Sequence, residues 1–230
     1  MATRLYLENT VADVDPATER GAWNDTASYS AIRLSRVRAG AITTKAVAET
    51  SATGDFDVLL LKIVSEPIPA QSITGTLDWS IGALESDTLM NAHWHLHVFV
   101  TQGDTDSLRG TLLTDYTEAA GTNEFPTTAQ GWAADSAQTL TSVTALDNDR
   151  IVIEIGYVAR NVDVTSFTGT LWYGGTNGEE LPRGSGDETA LTGWVAFSQD
   201  LFPTRPRRKQ SHRSPAPHGE ALTFLVEDTV

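Results

Sequence analysis

Strand-like runs fill the first two hundred positions, the runs at 93–98 and 150–156 alternating with a period of two, and turn residues punctuate them. In a strand, residues two apart share a face, so this alternation predicts strands rather than helices. The runs at 4–7, 31–37, 57–64, 72–80, 93–100, 107–113, 140–143, 150–159, 166–173 and 193–198 are rich in Val, Ile, Thr, Trp, Tyr and Phe. Gly54-Asp55, Gly103-Asp104, Asp147-Asn148-Asp149 and Gly174-Gly175 mark turns between them. The run at 150–159 is the clearest. Ile151, Ile153 and Ile155 share one face and should be buried, while Val152, Glu154 and Gly156 share a face that should be half exposed. A helical turn or two fits only within 82–92, where Ser, Asp and Asn weaken it. No fixed-period repeat is present. The expected fold is all-β: a two-sheet, jelly-roll-like sandwich of about ten strands with an extended C-terminal arm.

The arm follows from a change in composition. Four of the nine prolines stand at 203, 206, 215 and 217, and Arg205, Arg207, Arg208, Lys209 and Arg213 cluster among them. Proline blocks helix and central strand alike, and like charges repel, so 203–219 reads as an extended linker. Beyond it, Ala221 to Val226 is a short apolar, strand-like segment that needs a surface to dock on. The expected division is therefore a β domain at 1–202 and an arm at 203–230. Within the arm, Arg205, Arg207, Arg208, Lys209, Leu222, Phe224 and Val226 are the candidate interaction residues, the last three filling alternate pockets of a neighbour's sheet edge.

Charge and composition exclude several classes. With 16 Lys and Arg against 30 Asp and Glu, the chain carries −14. Such a body repels polyanions, so neither nucleic acid nor a membrane surface is an expected partner. The absence of cysteine removes disulfides, thiolate metal sites and cysteine nucleophiles. No apolar run approaches the roughly 20 residues of a spanning helix, and the first ten residues lack the pattern of a secretory signal.

Three patterns offer chemistry. His93, His95 and His97 alternate with Trp94 and Leu96, so their imidazoles share one face. Two of the three could ligate a metal, with Asp78 or Glu154 completing the set, but the row spans roughly 13 Å, too long for all three to reach one ion. The simpler reading is a polar, half-exposed strand face. Asp147-Asn148-Asp149 offers oxygen ligands for calcium or, more simply, a β-turn. Among the six tryptophans, Trp132 and Trp172 stand in contexts that could present a ring to a sugar, although strand tryptophans more often anchor cores. Neither a nucleophile elbow nor a phosphate-binding loop occurs. Neither a cofactor nor catalysis is expected. Arg33, Arg36, Arg38 and Lys45 form a basic island that could meet the acidic surface of a second copy.

The order of segments carries a further implication. Thr3-Arg4-Leu5-Tyr6-Leu7, Gly21 to Thr26, Val64-Ser65-Glu66-Pro67-Ile68, Ile73-Thr74-Gly75-Thr76, Leu108 to Leu113, Asp149 to Gly156 and Trp194 to Ser198 follow one another in a way that resembles a family of β-rich structural proteins of tailed bacteriophages. The resemblance covers most of 1–202 and none of the arm, and it brings no functional residues. It implies a non-enzymatic virion component made in the host cytoplasm, a homo-oligomer attached to other virion proteins such as the major capsid protein. Capsid decoration is the favoured place, and a carbohydrate- or receptor-binding module of a tail or fibre is the alternative.

Overall fold

The computed structural model of the chain describes residues 2–20, 23–27, 30–49, 55–119, 121–161, 165–176 and 178–203. The arm residues Arg205, Arg207, Arg208, Lys209, Leu222, Phe224 and Val226 lie outside them. In chain order the strands are β1 (Thr3–Val11), β2 (Asp25–Thr26), β3 (Ile32–Ser35), β4 (Thr43–Ala48), β5 (Phe56–Ser65), β6 (Gln71–Ile73), β7 (Thr76–Glu85), β8 (Ala92–Thr101), β9 (Leu108–Thr117), β10 (Gln130–Trp132), β11 (Gln138–Thr139), β12 (Val143–Ala145), β13 (Arg150–Ala159), β14 (Thr168–Tyr173) and β15 (Trp194–Phe197). The chain is all-β, as expected. The one helical element among the described residues is a single 3₁₀ turn, Thr88–Met90, capped by the Asp87 carboxylate on the Leu89 N–H.

Thirteen of the fifteen strands join one mixed sheet, whose path runs β4-β14-β7-β15-β1-β3-β5-β13-β8-β9, with β2, β10 and β11 attached at its sides. The other two, β6 and β12, pair with each other. Only β2 and β3 run parallel to a named neighbour, both to β5. The expected count of ten was low because four strands carry little apolar signal. One of these is β4, Thr-Thr-Lys-Ala-Val-Ala, an edge strand that is nowhere fully buried; β2, β10 and β11 span only two or three residues each. The run at 72–80 is two strands, split where Gly75 takes φ 89°, a left-handed conformation that glycine accepts freely. Residues 140–143 lie mostly between β11 and β12.

The sheet turns back on itself so that strands from distant parts of its path share one core. Trp79 of β7 meets Trp94 of β8 edge-on at 6.1 Å, Trp94 meets Phe125 at 4.7 Å, and the Tyr157 hydroxyl of β13 donates to the Val47 carbonyl of β4 at 2.8 Å. Ile151, Ile153, Ile155 and Tyr157 point into this core together with Trp94, Leu96, Val98 and Val100. Full burial of each aliphatic side chain is worth roughly 1.5–3 kcal/mol, so this inner layer dominates the folding free energy.

The opposite face of β13 and β8 was expected to be half exposed. It is buried: every residue of β8 and β13 is inaccessible to solvent. The reason is a strap, the described residues 12–20 and 23–27 between β1 and β3, which lies across these strands. At one end Ala12 and Val14 of the strap close a small apolar cluster of Ala31, Val64, Phe99 and Val152. At the other, β2 lies parallel to β5, and the Ala27 N–H donates to the Leu59 carbonyl at 2.9 Å. Between these anchors the covered surface is polar.

Candidate functional site beneath the strap

Period-two geometry places His93, His95 and His97 of β8 on the strap side, beside Glu154 of β13 and Lys62 of β5. β9 adds Asp115, and the start of β5 adds Asp57. Buried charges demand partners, since an isolated ion away from water costs several kcal/mol. The strap supplies them. Lys62 pairs with Asp15 at 2.6 Å and also donates to the Pro16 carbonyl. The Glu154 carboxylate, fully buried, accepts from the Glu19 N–H at 2.7 Å and from the Arg20 N–H and the Trp23 indole at 3.3 Å each. The Arg20 guanidinium bridges Asp57 at 2.6 Å and Asp115 at 3.0 Å while lying 4.5 Å from the Trp23 ring.

His95 sits at the centre. Its Nδ1 is 2.9 Å from Asp57 Oδ1, and its ring lies 4.8 Å from that of Trp23. An ionised carboxylate only accepts, so Nδ1 donates to Asp57, and in the neutral ring the free lone pair then sits on Nε2. That Nε2 is buried, has no hydrogen-bond partner, and lies 4.0 Å from Asp115 Oδ1. His97 Nδ1 meets the same residue, lying 3.3 Å from Asp115 Oδ1 and 3.4 Å from the Asp115 backbone nitrogen. Burial works to raise the Asp57 carboxyl, but the hydrogen bonds and charges of His95 and Arg20 outweigh it and hold the group below its ordinary range. Burial raises Glu154 despite the three N–H donors and the nearby Lys62 charge, and it lowers His97 despite Asp115. The site is close to the surface: Asp115 is half exposed, and the Trp23 ring lies against His95.

His93 does not join this group. Its Nε2 donates to Asn91 Oδ1 at 2.9 Å, and it faces Arg160 and Glu124 at the far end of the strand. The three histidines therefore share a face, as the alternation requires, but they are buried and not water-facing. Among the described residues no three His, Asp or Glu side chains are placed to hold a metal ion. Of the two carboxylates considered as extra ligands, Glu154 neighbours His97, whereas Asp78 lies on β7 and pairs with Arg183. In the 147–149 turn, Asp149 is taken up by the Arg109 guanidinium and by the N–H groups of Leu146 and Gly103, which spend the oxygens a calcium ion would need.

Trp132 stands in β10 opposite Ile81, packs against the core and donates its indole N–H to the Asn123 carbonyl at 3.3 Å, so it is half-buried and not a loop ring. Trp172 is likewise half-buried, within β14 between β4 and β7. The basic island is dispersed: Arg38 lies over Tyr6 and pairs with Glu180, Arg36 lies over Phe202 and pairs with Glu66 at 3.6 Å, and Arg33 lines a cavity of about 430 Å³ with Asp13, Ser65, Glu66, Pro67 and Arg150. The Arg150 guanidinium there is saturated by Asp13, Asp104 and the Ser65 carbonyl.

No family model and no curated protein matches the chain. Among solved structures it is similar to an α-amino acid ester hydrolase (TM-score 0.41, 10% identity, 86% of this chain and 36% of that one). It is also similar to an aminopeptidase from a marine-sediment Thaumarchaeota archaeon (TM-score 0.43, 10% identity, 86% and 36%). A CocE/NonD family hydrolase from Staphylococcus aureus is a third (TM-score 0.29, 8% identity, 88% and 35%). The chain spans about a third of the length of each. All three carry the names of hydrolases and none that of a phage component. The expectations of a non-enzymatic virion protein, of capsid decoration and of a tail or fibre module are corrected on this finding.

Sequence reasoning found the histidine row but missed Asp57, Asp115, Arg20 and Trp23. Nothing local marks them. The available signal was the presence of Lys62 and Glu154 in the middle of otherwise apolar strands, which announces a covering segment that carries opposite charges.

Two outcomes follow. Glu154→Ala leaves three part-buried strap N–H donors without their acceptor, a loss of about 1–3 kcal/mol for each that water does not reach. The strap should loosen first, seen as faster proteolysis within 15–24 while far-ultraviolet circular dichroism stays β-like. Because the folded chain resists protonating His97, the stability present at neutral pH is lost as pH falls through about 6.5. His97→Gln should flatten that limb of a Tm-against-pH curve between pH 7.5 and 5.5, whereas superimposable curves would remove His97 from the account.

Proposed function

We propose that the chain is a two-sheet, jelly-roll-like β module with hydrolytic acid–base chemistry seated at Asp57 and His95 and gated by the strap. The observation that carries this reading is the 2.9 Å contact between His95 Nδ1 and Asp57, with Nε2 of the same ring buried and without a hydrogen-bond partner beneath the strap. Asp57 holds the ring and balances the imidazolium that forms when Nε2 takes a proton, the role a carboxylate has in hydrolytic His–Asp pairs. With Trp23 displaced, a water beside Nε2 would add to a substrate carbonyl carbon while giving its proton to His95. His95 would then return that proton to the departing alkoxide or amine, so that acid and alcohol or amine leave and the imidazole is neutral again. Arg20, held between Asp57 and Asp115, keeps both carboxylates in place.

The test uses the purified full chain with activated esters and aminoacyl anilides, the bond types named for the hydrolases above. The wild type should hydrolyse at least one, and Trp23→Ala, which uncovers His95, should raise the rate. If neither protein exceeds the buffer rate while both remain folded, the reading fails.

A further inference from the structure

A second polar site lies at the far end of β5 from Asp57, where the strap leaves β1. The cavity lined by Asp13, Arg33, Ser65, Glu66, Pro67 and Arg150, about 430 Å³, falls within the roughly 300–1,000 Å³ of small-molecule sites. Most of its polar lining is spent. Arg150, whose side chain is 4% exposed, holds the two oxygens of Asp13 at 3.0 and 2.9 Å and donates to Asp104 and to the Ser65 carbonyl. The Ser65 hydroxyl donates to the Glu66 carbonyl at 2.7 Å and accepts the Ile151 N–H at 2.9 Å. Two charged groups remain unspent. Arg33 of β3, half-buried, makes no hydrogen bond and no ion pair among the described residues. The Glu66 carboxylate meets Arg36 at 3.6 Å, beyond hydrogen-bond reach, and both of those side chains are partly exposed. Arg33 and Glu66 line the same cavity without pairing with each other.

We propose that this cavity binds a small zwitterion, a free amino acid, with its carboxylate on Arg33 and its ammonium on Glu66. The balance of charge in the lining selects that class. An anion without an amine would meet Arg33 but also the carboxylates of Glu66 and Asp13, and an amine without a carboxylate would meet Glu66 but also Arg33. A ligand with both signs spends both free groups at once. Each end is then a charge-assisted hydrogen bond, the stronger kind: the guanidinium fork suits a carboxylate, and an ammonium donates up to three N–H groups. Asp13 does not compete for the ammonium on equal terms, because Arg150 already occupies both of its oxygens. Pro67 gives the ligand's side chain an apolar wall. The inference is independent of His95 and of hydrolysis, since a free amino acid carries no ester or amide bond to break.

Nuclear magnetic resonance titration of the full chain tests it, with free amino acids of aliphatic, polar and charged side chain and with the N-acetyl and amide forms of each. At about pH 6.5 the amine of the amide form stays charged, so each analogue lacks one sign only. At least one amino acid should shift the amide signals of Arg33, Glu66 and Arg150, and both of its analogues should bind about tenfold more weakly or worse. Arg33→Gln and Glu66→Gln should each weaken that amino acid about tenfold while the thermal transition stays near that of the wild type, because neither side chain has a hydrogen-bond partner to lose. Should one variant fold poorly, the other carries the test. No shift at those amides with any amino acid, an analogue that binds as well as its parent, or unchanged binding in a folded variant would overturn the proposal.

Discussion

Gly156→Ala is expected to prevent the domain from folding. Gly156 lies in the middle of β13, where the register with β5 slips between Ile155 and Gly156. The slip brings two backbones so close that an added Cβ would sit 1.8 Å from the Val58 carbonyl oxygen, 2.8 Å from its carbon and 3.1 Å from Leu59 Cα. All three atoms are backbone, so no rotamer change relieves the overlap. The strand would have to move away from β5, breaking the ladder that holds Glu154 against the strap and Ile155 in the core. Overpacking of this kind commonly costs 1–3 kcal/mol, and more where only backbone can move. A domain this size has roughly 5–15 kcal/mol to lose. The measurement is soluble yield and a thermal transition. A variant that melts within a few degrees of the wild type would mean that the two backbones are not this close.

The largest expected effect on chemistry is that of His95→Ala. Removing the general base of a hydrolytic step costs typically 10²–10⁴-fold in kcat, and here the loss should come with little change in KM, because the ring takes the proton and does not hold the substrate. Asp57→Asn should fall in the same range by a different route: an amide at that position can present its N–H to Nδ1 and drive the proton to Nε2. It would also release Arg20, so its effect on strap stability should exceed that of His95→Ala. An unchanged rate in His95→Ala, with the fold confirmed by circular dichroism, would place any hydrolysis elsewhere.

These residues also show how far a strand pattern can be read. The alternation located β13 to the residue and put Ile151, Ile153 and Ile155 in the core. It put the three histidines on one face. It could not tell that the other face was covered, because the cover is a strap with no periodicity of its own: segment 12–20 alternates neither like a strand nor like a helix. Its register is set by contacts with residues far away in sequence, the Arg20 guanidinium with Asp115 and the Glu19 backbone N–H with the Glu154 carboxylate, and such pairings leave no local trace. Trp132 illustrates the reverse error. A Gly-Trp-Ala-Ala context looks like a loop, yet β10 forms because β7 offers it an edge at Ile81, Gly82 and Ala83.

The most direct measurement is the protonation state of the His95 ring in the folded chain near pH 7, read from the chemical shifts and couplings of its two ring nitrogens. The account predicts a proton on Nδ1, held toward Asp57, and a bare Nε2. A proton on Nε2, with or without one on Nδ1, would contradict it, because that nitrogen then has no lone pair to offer a water under the strap.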